Sequence, residues 1–81
     1  MENYGGLDLN ERVFLLGVLT QKEGQTIRDL ILALSNTGMF TPKEGKRIRK
    51  ELEAGGYLQE GKLTVKGMIA AKRAESEFRL S

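Results

Sequence analysis

Four residues near the middle of the chain, Thr41-Pro42-Lys43-Glu44, constrain its fold more than any others. A threonine can accept a backbone N–H of the first helical turn. Proline at the first helical position gives up an amide that would have no helical partner, and glutamate at the third reaches back to the cap. A helix therefore starts at Pro42 and runs to about Ala54, where Gly55-Gly56 supplies the left-handed residue that ends it. Similar starts occur twice upstream. Asp8 with Glu11 opens a helix from Leu9 to about Lys22, and Thr26 with Asp29 opens another that reaches about Asn36.

Apolar spacing orients these helices. In the second, Ile27, Leu30, Ile31 and Leu34 keep the i, i+3, i+4, i+7 spacing of a core-facing stripe, and Leu32 projects to the opposite side. The first carries a stripe of Leu9, Val13, Leu16 and Leu19, yet Phe14, Leu15 and Val18 fill most of the remaining circumference. That surplus predicts a homodimer with Phe14 and Val18 in its interface, formed by this helix alone or together with the fourth. Between the second and third helices, Met39 and Phe40 follow a turn and are expected to fold back as anchors.

After Gly55-Gly56 come Tyr57-Leu58, a Gln59-Glu60-Gly61 turn and Lys62-Leu63, which together read as a minimal hairpin. Thr64 caps a fourth helix from Val65 to about Arg79, with Gly67 weakening its first turn. The expectation is a mainly α (α+β) chain. Residues 1–7 form a disordered N-terminal segment in this reading, and residues 8–81 a single domain.

The run Leu52-Glu53-Ala54-Gly55-Gly56-Tyr57-Leu58, a short turn, then Leu63-Thr64-Val65-Lys66-Gly67 resembles the recognition-helix end, wing and fourth helix of bacterial winged helix-turn-helix regulators. MarR-type and PadR-type proteins carry a similar pattern. Gly24 to Leu30 is similar to that family's approach to its second helix, and the resemblance covers residues 9 to about 73. It implies a transcriptional regulator that binds double-stranded DNA through the third helix, residues 42–54. Two features depart from the family pattern: the link from Asn36 to Thr41 is longer, and the wing is too short to reach far into a groove.

Charge supports an anionic partner. The net charge of 81 residues is only +2, but residues 1–41 hold three basic and five acidic side chains, and residues 42–81 hold ten and six. On a helical wheel Gly45, Ile48 and Leu52 share one side of the third helix. Lys43, Lys46, Arg47 and Lys50 gather opposite, with Arg49 and the glutamates on the flanks. These four and Lys62 of the hairpin are the nucleic-acid-binding candidates, able to neutralise phosphates, with the helix N-terminus offering further donors. A solvated helix surface would carry the same charges. Position favours the first reading, because the basic face lies on the helix that the winged-helix resemblance nominates for the major groove.

The chain lacks cysteine and histidine, which excludes disulfides, thiolate chemistry and the commonest metal ligand and general base. No carboxylate pairs with a plausible nucleophile, and no phosphate-cradling glycine loop is present, so neither an enzyme nor a cofactor is expected. With no signal-peptide pattern and no apolar run long enough for a membrane, a cytoplasmic protein is expected. The competing reading is a winged-helix protein-interaction module that uses apolar residues such as Phe14, Val18 and Leu32.

Overall fold

The computed structural model describes residues 7–80, with side chains up to Phe78. The chain is mainly helical with one small antiparallel sheet. In order come α1 (Leu9–Leu19), α2 (Ile27–Asn36), α3 (Pro42–Ala54), β1 (Leu58–Gln59), β2 (Lys62–Leu63) and α4 (Val65–Leu80). All three capping boxes close, at Asp8 with Glu11, Thr26 with Asp29 and Thr41 with Glu44. Each satisfies two donors that a helix start would otherwise leave without partners.

α1 stops short of the expected Lys22 because side chains take over from the helical ladder. Thr20 Oγ1 donates back to the Leu16 carbonyl at 3.1 Å, and Gln25 Oε1 accepts from Lys22 N at 2.9 Å. Gln21 Nε2 donates to the Thr26 carbonyl at 2.6 Å, which ties this turn to the start of α2. α3 ends as a Schellman motif: Gly56 N donates to the Glu53 carbonyl, Tyr57 N to the Leu52 carbonyl, and Gly56 takes φ +84°. Tyr57 therefore closes the helix, and the first strand starts one residue later than expected. In the two-residue hairpin loop both Glu60 (φ 52°) and Gly61 (φ 78°) are left-handed, the mark of a type I′ turn.

Phe14, Leu15 and Leu52 are fully buried at the centre of the core, and Ile27, Ile31, Phe40, Ile48 and Leu58 surround them. Phe40 is the expected anchor under the α2–α3 link, and Met39 packs against the same cluster. Leu7 also joins the core, at 5% exposure. This differs from the disordered segment expected over residues 1–7: burying a leucine is worth about 1.5–3 kcal/mol, enough to draw the residue ahead of the cap inward. The rest of that segment, residues 1–6, lies outside the described residues.

The dimer expectation for α1 needs correction at Phe14. α4 lies along α1, and the Arg12–Glu77 ion pair, Nη1 to Oε1 at 2.7 Å, links the start of α1 to the far end of α4. Gly67, Ala70, Ala71 and Ala74 form the inward face of α4: the three alanines keep the helix slim where it lies along α1, and Gly67 admits the backbone of Tyr57. α4 thus covers the surplus apolar surface of α1: Phe14 has 0% exposure and can touch no second molecule, while Val18 is half-buried against the core.

Where α1 meets α3, Glu11 lies close to Glu51. Burial pushes the Glu11 carboxyl above its ordinary range, its bond from the Asp8 backbone opposes the rise, and the charges of Asp8 and Glu51 add to it.

Candidate nucleic-acid interface

α3 is held against α2 by the absence of a side chain. A methyl group on Gly45 would stand 2.7 Å from Ile31 Cγ2 and 2.9 Å from Phe40 Cε1, so only glycine allows this approach without displacing them. With Gly45, Ile48 and Leu52 turned inward, Lys43, Lys46, Arg47 and Lys50 are all exposed, as the wheel requires. Among the described residues Lys43, Lys46 and Lys50 have no carboxylate at ion-pair distance. Arg47 meets Glu51 only loosely, at 3.9 Å between two exposed groups, a pair worth little in water.

The helix N-terminus offers less than its position promises. Pro42 has no N–H, Glu44 N already donates to Thr41 Oγ1 at 3.1 Å, and Thr41 N donates to Glu44 Oε1 at 2.8 Å. The Glu44 carboxylate also places negative charge where a phosphate would sit. The lysine side chains, rather than the backbone, are what α3 presents to an anion.

Two cationic residues outside the expected set join this surface. Arg28, on α2, lines an open groove of about 580 Å³ between α2 and α3 together with Lys46, Arg49 and Lys50. Arg28 and Arg49 also line a second cleft, of about 750 Å³, bounded by residues 21–28 and the hairpin; Lys62 lies in its wall. Lys62 is therefore joined to the α3 lysines through the two arginines. Arg49 is partly engaged, its Nε 3.3 Å from Glu53 Oε2. The signal for Arg28 was its i, i+4 spacing to Leu32, the residue that projects away from the stripe of α2. Only the packing of α3 on α2 puts that side of α2 next to the lysines.

Lys66 and Tyr57 have structural roles. Lys66 Nζ donates to the Gly55 carbonyl at 2.8 Å and lies 4.5 Å from the centre of the Tyr57 ring, so it caps the C-terminus of α3. Tyr57 is half-buried there. At the tip of the hairpin, Glu60 puts an acidic side chain ahead of Lys62, which disfavours insertion of this loop between phosphate walls.

Among the described residues no group of three or more acidic side chains is placed to hold a metal ion, and no helix is long and apolar enough to cross a membrane. Comparisons with protein families, with curated proteins and with solved structures return no match to this chain.

Proposed function

We propose that this chain is a winged helix-turn-helix domain that binds double-stranded DNA and acts in transcriptional control. In this reading α2 and α3 form the helix-turn-helix, α3 lies in the major groove, and the hairpin is a short wing beside the backbone. The observation that carries it is the set of exposed lysines Lys43, Lys46 and Lys50, which among the described residues have no carboxylate at ion-pair distance, two of them, Lys46 and Lys50, sharing a groove with Arg28. A merely solvated helix more often neutralises such charges within itself.

The same reading includes a homodimer, with its interface moved from α1 to the outward face of α4. Val65 is 79% exposed, Met68 45% and Ile69 54%, an i, i+3, i+4 patch left open among the described residues. The long axis of the molecule is 29 Å, less than one turn of B-DNA at about 34 Å, so one copy spans a half-site.

The test is a fluorescence anisotropy titration with random-sequence duplex DNA at several salt concentrations. The expected result is binding at low salt that weakens linearly in log–log form as salt rises. Absence of binding even at low salt overturns the proposal.

A further inference from the structure

The groove between α2 and α3 has a feature that contact with a phosphate backbone does not require. Its floor is apolar, formed by Ile31, Leu32 and Pro42, and Leu32 remains 48% exposed. Its rim is cationic: Arg28 on one side, Lys46 and Lys50 on the other, with Arg49 held by Glu53 between them. Glu53 is the one acidic side chain in the lining. A duplex would satisfy the rim and leave the floor without a partner, since the aliphatic surface available in a groove is largely limited to thymine methyls.

We propose that this groove docks an acidic amphipathic helix of a partner protein, which seats an apolar side chain on Leu32 and Pro42 and carboxylates against Arg28, Lys46 and Lys50. Charge complementarity selects the occupant. Three or four cations around an apolar floor match a helix that carries leucine-like anchors one turn apart and glutamates beside them. The aliphatic stems of Lys46 and Lys50 extend the floor while their ammonium groups stay in water. Lys46 and Lys50 also belong to the proposed duplex-binding face, so partner and DNA exclude one another. Docking itself does not depend on the duplex reading; only the exclusion does.

The probe is a fluorescein-labelled peptide of about twelve residues, glutamate-rich with leucines at i, i+3, i+4 and i+7, about 18 Å long when helical. Its control has the same charge with every leucine replaced by serine. Anisotropy at low salt is expected to show the leucine peptide binding about ten-fold more tightly than the control, an apolar contact of about 1.4 kcal/mol. Leu32→Ser, at a half-exposed position, should lower the melting temperature by only several degrees and keep the duplex affinity of the wild type while removing most of that preference. Equal binding of the two peptides, or an undiminished preference in Leu32→Ser, overturns the proposal by reducing it to charge attraction. Random duplex should displace the leucine peptide. Peptide preference without any duplex binding supports the docking site and removes the duplex reading, and duplex binding without peptide preference does the reverse.

Discussion

Gly67 of α4 passes so close beneath Tyr57 that a Cβ on Gly67 would overlap the Tyr57 carbonyl oxygen. The obstacle is backbone, held in place because Thr64 N donates to that same oxygen at 3.1 Å. Alanine would favour the helix by about 1 kcal/mol, but the overlap forces the hairpin off α4. Gly67→Ala is expected to lower stability by about 1–3 kcal/mol net in urea denaturation. A stabilised variant would show that the hairpin does not rest on α4 in solution.

Lys46→Glu with Lys50→Glu tests the face of α3 without disturbing its packing, since both positions are exposed. Duplex binding should weaken strongly, and the slope of log affinity against log salt should fall by roughly 2. Lys72→Glu, exposed on α4, should have a much smaller effect. Lys66 is a different case, because it caps α3: Lys66→Met should cost about 1–2 kcal/mol of stability through the lost bond to Gly55 and the lost ring contact. Equal losses of binding from the α3 pair and from Lys72 would reduce the interaction to diffuse attraction.

For the dimer, the informative change is Ile69→Glu, which places a charge in the exposed α4 patch and should yield a folded monomer in sedimentation velocity. Phe14→Glu should instead unfold the domain, because it buries a carboxylate at a site of 0% exposure. A wild-type chain that sediments as a monomer at high concentration would remove the dimer from the proposal.

Glu60 holds a conformation that suits glycine, at φ 52°. Glu60→Gly should raise stability by about 0.5–1 kcal/mol, since relief of the left-handed strain exceeds the added chain entropy. It also removes negative charge beside Lys62, so duplex affinity at low salt should rise. Lower stability in thermal melts would argue against the type I′ turn.

Glu11 should titrate above the ordinary glutamate range in a carboxyl-carbon NMR experiment, because its folded-state value is raised by burial and then by neighbouring acids. Between the unfolded and folded values the native state holds the extra proton, so this group's contribution to stability falls as pH rises through that window and recovers on acidification. Glu51→Gln should bring the Glu11 midpoint down. No change in that variant would show that the two carboxyls do not interact.

Helix starts were legible because capping is local chemistry: Thr41 and Glu44 lie three positions apart and need no tertiary partner. The inward face of α3 was equally plain, since Ile48 and Leu52 repeat at helical spacing around Gly45. The cover over Phe14 was not, because the face that supplies it consists of Ala70, Ala71 and Ala74. Periodicity reads large apolar side chains, and those of the first turns of α4 point outward. Arg28 escaped notice for a related reason, being an ordinary exposed residue until α3 is laid beside it.

The junction of α3, the hairpin and α4 has a mechanical consequence. Thr64 Oγ1 donates to the Gly56 carbonyl at 2.6 Å and accepts from Gly67 N at 3.0 Å, while Lys66 reaches Gly55 from the same first turn of α4. The tail of one helix and the head of the other are thus riveted to the same few peptide units. α3 cannot tilt about its C-terminal end without dragging α4 unless these bonds break. The three bonds make a single joint of the two helix ends, and a change in the angle between α3 and α4 is resisted there.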